Sequence, residues 1–206
     1  MIKYIIFDFD GTLVDSLDIA INAVNKLSDK FGFKKVKKEE FDFLRKLSIP
    51  ERCKHLSVPM YKLPFWAAHF YNEYKSSIQD IALFEGIKEV LDELRNRGYE
   101  LAIISSNSED NIREFLEKNQ IYSIKEVFAS KHIFGKDKVL NAFMKKEKLS
   151  NSEIIYVGDE ERDILACKKV GVKIISVSWG FDLLETIKQK EPDYIVNSPE
   201  EILSIV

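Results

Sequence analysis

Short apolar runs that end in polar or acidic residues recur along this chain, with helical patterns between them. That alternation limits the fold more than any other feature. Tyr4–Phe7, Glu100–Ile104, Glu153–Val157 and Lys173–Val177 have the length and β-branching of buried strands, and Glu126–Ala129 and Tyr194–Val196 are further short candidates. Between them, Ile87, Val90, Leu91 and Leu94 repeat on one helical face before Gly98. Ser108 is placed to cap a helix carrying Ile112, Phe115 and Leu116. Lys138–Lys146 carries Val139, Leu140, Phe143 and Met144, and Ile164–Val170 stops at Gly171. Ser198-Pro199-Glu200-Glu201 predicts a capping box with proline at the first helical position. Strands alternating with helices pair in parallel through right-handed crossovers. The expected fold is therefore α/β, a doubly wound, mostly parallel, Rossmann-like sheet.

One stretch interrupts this rhythm. From Ser16 to about Ile81 the pattern is helical, with Ile19, Ala23, Val24, Leu27 and Phe31 on one face, then Phe41, Leu44 and Leu47, then the aromatic run Phe65–Tyr74. A strandless segment of that length is read as a small all-helical domain inserted after the first strand. The boundaries expected are 1–15 with 82–206 for the sheet domain and 16–81 for the insertion, with hinges near Val14–Ser16 and Asp80–Phe84. The 206 residues, 45% of them apolar, suffice for one core and such an appendage. Thirty-one basic and 34 acidic residues are well mixed, so no basic field invites nucleic acid. The first apolar run ends at Asp8, too soon for a signal segment or membrane span. Two distant cysteines, Cys53 and Cys167, suit a reducing compartment. A soluble, cytoplasmic protein with no membrane partner is expected, of open oligomeric state.

The acids at strand ends carry the chemistry. Asp8 and Asp10 leave the first strand on either side of Phe9, so the pleat sends both to the same side. In open parallel sheets that edge holds the ligand crevice. Like charges this close need a cation or a proton, and Mg²⁺ is the hard divalent ion that oxygen ligands select. Solvated turn acids are the plainer alternative, because Asp-Gly is a common turn pair. A second run, Gly158-Asp159-Glu160-Glu161-Arg162-Asp163, repeats strand, glycine and acid. Asp163 also suits the first turn of the next helix as a dipole-stabilising residue.

Asp8-Phe9-Asp10-Gly11-Thr12-Leu13-Val14-Asp15-Ser16 resembles the first motif of the haloacid dehalogenase-like superfamily, and Gly158–Asp163 is similar to its last. Leu101–Asn107, a strand ending in serine, resembles the second motif, and Phe134-Gly135-Lys136 the third. The helical insertion resembles the C1-type cap of phosphoglycolate phosphatase-like members. The resemblance implies a Mg²⁺-dependent phosphatase for a small phosphorylated metabolite. Asp8 would be the nucleophile that forms an aspartyl-phosphate, and Asp10 the general acid and base. It further implies Mg²⁺ held by Asp8, the Asp10 main-chain carbonyl and Asp159. Phosphate would be bound by Ser105, Ser106 and Lys136, with Thr12 and Asp163 in support, Asp163 reaching the metal through water or orienting Lys136. Lys138 competes with Lys136 on composition, and the preceding glycine and the family pattern favour Lys136.

Asp10 bears on the reaction type. Dehalogenase and phosphonatase relatives usually lack it, whereas a phosphomutase of the β-phosphoglucomutase type would keep it. The alternatives to a phosphatase are that mutase and a non-catalytic binding protein of the same fold. Specificity is expected in the insertion, where Arg45 and Arg52 are basic candidates for an anionic substrate tail, although a solvated helix face is the plainer reading of each. Trp179-Gly180-Phe181 follows a strand and suits either the edge of the site or plain packing.

Overall fold

A computed structural model describes residues 1–77, 80–130 and 135–206. The first apolar run forms β1 (Tyr4–Phe7), and a tight turn leads to β2 (Val14–Asp15). Helices α1 (Leu17–Phe31), α2 (Phe41–Arg45), α3 (Ile49–His55) and α4 (Leu63–Lys75) follow before β3 (Ala82–Leu83). The remainder alternates as α5 (Ile87–Asn96), β4 (Glu100–Ser105), α6 (Glu109–Lys118), β5 (Ile124–Ala129), α7 (Lys136–Glu147) and β6 (Ile154–Gly158). It ends with α8 (Glu161–Val170), β7 (Lys173–Val177), α9 (Leu184–Gln189) and β8 (Tyr194–Val196).

The six longer strands form one parallel sheet in the order β5-β4-β1-β6-β7-β8. The chain fills one side of β1 with β4 and β5 and then the other side from β6 outward. The direction of winding therefore switches between β1 and β6, where open α/β sheets form their ligand crevice. Phe7 lies opposite both Ile103 and Val157, so Asp8, Ser105 and Asp159 all leave the sheet at one rim. The strands are apolar throughout because helices cover both faces. Ile6, Ile104, Tyr156, Leu140, Phe143, Ile164 and Cys167 pack in one buried cluster. Helix α5 buries Ile87, Val90, Leu91 and Leu94, each burial contributing about 1.5–3 kcal/mol.

Three local expectations shift. Helix α7 starts two residues earlier than its apolar spacing predicts, and Lys136 is its first residue. Strand β6 is offset by one, because Ser150 and Glu153 close a capping box on a short 3₁₀ turn that holds Glu153 out of the strand. The Ser198 segment forms a 3₁₀ helix, Pro199–Ser204, without the expected capping box. There Glu201 accepts from the Asn197 backbone N–H at 2.9 Å.

The molecule divides into two compact units, Met1–Asp15 with Ala82–Val206, and Ser16–Ile81. Strands β2 and β3 form a two-residue antiparallel ribbon within the first unit, Val14 opposite Leu83 and Asp15 opposite Ala82. Inside Ser16–Ile81 no strand occurs among the described residues. Its core holds Ala23, Leu27, Leu44, Cys53, Trp66 and Tyr74. Trp66 stacks on Phe33 at 4.8 Å and on Phe31 at 6.0 Å, whereas Phe65 is half exposed. The Asn25 side chain binds both the N–H and the carbonyl of Val36, pinning the loop after α1. Ser48 and Glu51 close a capping box that starts α3, a helix separate from α2.

Candidate active site

At the end of β1 the Asp8 backbone N–H still donates to the Val157 carbonyl, so the residue is held as firmly as the strand itself. Its side chain is 1% exposed. One carboxylate oxygen accepts the Phe9 N–H at 2.7 Å and the other accepts Lys136 Nζ at 2.5 Å. The chain then doubles back, with the N–H groups of Leu13 and Val14 returning to the Phe9 carbonyl. Gly11 sits at φ +76° in that turn, and a Cβ there would fall 2.2 Å from Asp159 Oδ2. Asp10 is partly buried and accepts from Asn107 Nδ2 at 2.9 Å.

Lys136 enters from the start of α7 and is 2% exposed. Its ammonium lies 2.5 Å from Asp8 and 2.5 Å from Asp163. Burial alone would lower its pKa, but the Asp163 and Asp8 charges reverse that and raise it above the ordinary lysine value. The shared ammonium leaves the acid side short of positive charge. Burial accordingly raises Asp163 to about 6 despite the opposing pull of Lys136. Gly135 precedes Lys136 as expected, and Phe134 lies outside the described residues.

At the end of β6, Asp159 is wholly buried and receives only neutral donors among the described residues. These are Thr12 Oγ1 at 2.7 Å and the Phe181 N–H at 2.7 Å. Gly180 presses against it from the loop after β7, where a Cβ would fall 2.1 Å from the Asp159 Cβ. Burial, then the charges of Glu160, Asp8 and Asp163, raise the Asp159 carboxyl well above its usual range. Glu160 and Asp163 cap the start of α8 reciprocally. Glu160 also pairs with the Arg162 guanidinium, whose Nε lies 2.7 Å away, and Arg162 Nη1 donates to Ser106 Oγ at 3.2 Å.

At the end of β4, Ser105 is buried and its hydroxyl accepts the Asn107 N–H at 3.2 Å. Asn107 uses its carbonyl oxygen on the Ser108 N–H and on Asn111, leaving its amide nitrogen to hold Asp10. The four strand and helix ends therefore bring Asp8, Asp10, Thr12, Ser105, Ser106, Lys136, Asp159 and Asp163 to one rim through direct contacts or shared partners.

Arg45 and Arg52 lie in the other unit. Arg52 Nε donates to the Leu44 carbonyl at 2.9 Å, closing the end of α2, and the Arg45 guanidinium lies over the Phe41 ring at 5.6 Å. Sequence reasoning gave no role to Asn107, Arg162 or Tyr156, nor to Asp182, whose carboxylate accepts the Glu161 N–H at the start of α8. Only Asn107 carried a signal, standing between the strand-ending serines and the helix cap. Trp179 donates from Nε1 to the Thr12 carbonyl at 3.2 Å, which puts the Trp179–Phe181 loop at the site.

The donor set suits a hard divalent cation. Four buried carboxylates, Asp8, Asp159, Glu160 and Asp163, face two described cations, Lys136 and Arg162. Oxygens of Asp8, Glu160 and Asp163 lie within 4.8 Å of one another. All three of these acids already hold a cation, Asp8 and Asp163 sharing Lys136 and Glu160 holding Arg162. Asp159 has no opposite charge against it among the described residues, and beside Asp8 it is where added positive charge relieves most repulsion.

Residues 5–177 match the model of the haloacid dehalogenase-like hydrolase family. The chain is 30% identical to a phosphoglycolate phosphatase of Synechococcus elongatus, over 98% of this chain and 96% of that one. It is 26% identical to a pyrophosphatase of Bacillus velezensis, over 98% and 94%. A haloacid dehalogenase-like family hydrolase from Streptococcus pneumoniae superposes with a TM-score of 0.82 at 23% identity, covering 99% of this chain and 98% of that one, a likeness of fold. The chain belongs to the haloacid dehalogenase-like hydrolases. Within that family it is a phosphatase, and such phosphatases generally use Mg²⁺. No described helix is long and apolar enough to cross a membrane.

Proposed function

We propose that the chain hydrolyses a small phosphate monoester in two transfers through Asp8. The observation that carries this reading is the Lys136 ammonium lodged between Asp8 and Asp163, both buried, at the rim where the sheet changes its winding direction. Such a site is buried and short of positive charge, so a divalent cation is what would let it receive an anion. An Asp8 oxygen attacks phosphorus while the ester P–O bond breaks, and Asp10 gives its proton to the leaving alcohol. Asp10 then takes a proton from water, whose oxygen attacks the same phosphorus and releases Asp8 and inorganic phosphate. Asn107 orients Asp10 through both steps. Ser105, Ser106 and Lys136 hold phosphoryl oxygens, each such contact supplying about 3 kcal/mol by analogy with oxyanion-hole donors.

Asp8, Asp159 and the Asp10 main-chain carbonyl are the groups that would hold Mg²⁺, whose chemistry there is to offset repulsion between the nucleophile and the phosphoryl oxygens. Thr12 and Asp163 support the site by fixing Asp159 and Lys136. The unit Met1–Asp15 with Ala82–Val206 is read as the catalytic core. Ser16–Ile81 is read as the substrate-selecting cap, with the β2–β3 ribbon as its hinge. Arg45 and Arg52 are both read as candidates for contact with a substrate tail, and Arg52 would have to surrender its bonds to the end of α2 to make it. The two free, buried cysteines agree with a cytoplasmic setting.

The names of the relatives make phosphoglycolate and pyrophosphate the first substrates to assay within a panel of phosphorylated metabolites. Turnover is expected with Mg²⁺, to be lost on chelation, and to fall at least about 10³-fold in Asp8→Asn. Full activity in Asp8→Asn would overturn the covalent route.

A further inference from the structure

Tyr156 lies in the middle of β6, opposite Ile6 on β1 and Ile174 on β7, and is wholly buried. By position it is a core residue, and a leucine or phenylalanine would fill such a place without burying a hydroxyl. Its side chain, however, reaches across β1 to β4, where the hydroxyl donates to the Ile104 carbonyl at 2.8 Å. Ile104 is the residue before Ser105. The same ring lies 5.6 Å from Lys136 Nζ, within cation–π range. Two of the three ammonium N–H groups are engaged by Asp8 and Asp163, and among the described residues the third has no partner. The ring thus lies within reach of an ammonium that two carboxylates already hold.

Gly158 leaves room for the ring beside Asp163. A Cβ there would fall 2.6 Å from Asp163 Oδ2 and 2.9 Å from Tyr156 Cε1, so any larger residue would push apart the carboxylate and the ring edge. Burial, with the Asp8 and Asp163 charges adding to it, raises the phenol well above its ordinary value and keeps it a donor at working pH.

We propose that Tyr156 is a positioning residue for phosphate capture. Its ring seats the Lys136 ammonium, and its hydroxyl fixes the β4 carbonyl beside Ser105, so one side chain sets the spacing between the two phosphate-binding groups. The inference rests on the phosphatase reading of this rim and extends it to a residue placed to touch neither substrate nor metal ion.

The test compares Tyr156→Phe, which removes only the hydroxyl, with Tyr156→Met, which removes hydroxyl and ring and leaves a smaller apolar side chain. Inorganic phosphate serves as the probe through its inhibition constant, read beside KM, kcat and the unfolding midpoint. Tyr156→Met is expected to raise KM and the phosphate inhibition constant about tenfold, and Tyr156→Phe about threefold, with kcat changed less than KM. In a Lys136→Met background, Tyr156→Met should cost no more than the about threefold expected for loss of the hydroxyl, since the group the ring seats is gone. A lowered unfolding midpoint with unchanged constants would reduce Tyr156 to packing and overturn the proposal, as would an equal loss with and without Lys136. If Tyr156→Met does not fold, Tyr156→Phe decides alone, and unchanged constants there overturn it. Full turnover in Asp8→Asn would instead sink the phosphatase reading, so the two failures are distinct.

Discussion

Strands β1 and β6 lie side by side and carry charge at both ends, but the two ends handle it in opposite ways. Where they begin, Lys3 and Glu153 pair at 2.6 Å near the surface, and the Lys3 N–H binds the Glu153 carbonyl. The Lys3 contact first, then bonds from Ser150, hold the Glu153 carboxyl down at about 2. Where they finish, Asp159 is buried against neutral donors and neighbouring acids and is pushed the other way. The same type of acid, one strand length apart, supports the fold at one end and is held under electrostatic load at the other. Charge opposed by donors in reach of water is settled. Charge buried with too few opposite charges is where a ligand has work to do.

The sharpest way to break this contrast is Lys136→Met. It leaves Asp8 and Asp163 buried without their shared cation. Urea unfolding should show a loss of about 3–5 kcal/mol, and turnover should fall at least about 100-fold. A loss below about 1 kcal/mol would mean the finishing end is no more loaded than the starting one. Asp159→Asn should next separate stability from function. In chelator the variant should be as stable as the parent or more so, because an acid that burial disfavours has been neutralised. Its thermal stabilisation by Mg²⁺ should nevertheless vanish, with turnover reduced about 100-fold. Marked destabilisation in chelator would show that Asp159 is already compensated.

Gly180→Ala tests the space around that acid. The added methyl meets the Asp159 Cβ, so a stability loss of about 1–3 kcal/mol and weaker Mg²⁺ stabilisation are expected from thermal melts. An unchanged melt with or without Mg²⁺ would show that the loop yields freely. Glu153→Gln should give the smallest effect. The folded-state pKa of Glu153 lies below its ordinary 4.5, so its stabilisation is present above that pH and is lost as pH falls toward about 2. Acid titration of stability should be flatter over that window in the variant and near parental at neutral pH. A variant curve as steep as the parent's would place the acid sensitivity elsewhere.

Much of the sheet and its reactive rim was readable from residue order because strand periodicity and terminal acids are local signals. Tyr4–Phe7 followed by Asp8, and Ile154–Gly158 followed by Asp159, state strand and rim together. Partnerships set by tertiary contact were not readable. Tyr156 reads as one more apolar strand residue until its hydroxyl is seen on β4. Asn107 reads as a turn residue until Asp10 is against it, and Gly180 as loop slack until Asp159 fills the space a side chain would need. The start of α7 was misread because its first residue, Lys136, is polar yet buried by two distant acids, which no apolar periodicity registers. In the insertion, α2 and α3 are short, and a capping box rather than hydrophobic spacing marks where the second begins.

The two-residue ribbon of β2 and β3 has a consequence for how this chain can change. It places Asp15 and Ala82 as direct neighbours, so everything between them leaves and rejoins the polypeptide through a single narrow socket. The entropy of closing such an excursion rises only with the logarithm of its length. A two-residue Asn-Gly turn would span the same socket, as would a foreign domain whose termini lie close together. On the proposed reading, a change of insertion would alter substrate preference and leave the strand ends that carry the phosphoryl chemistry as they are.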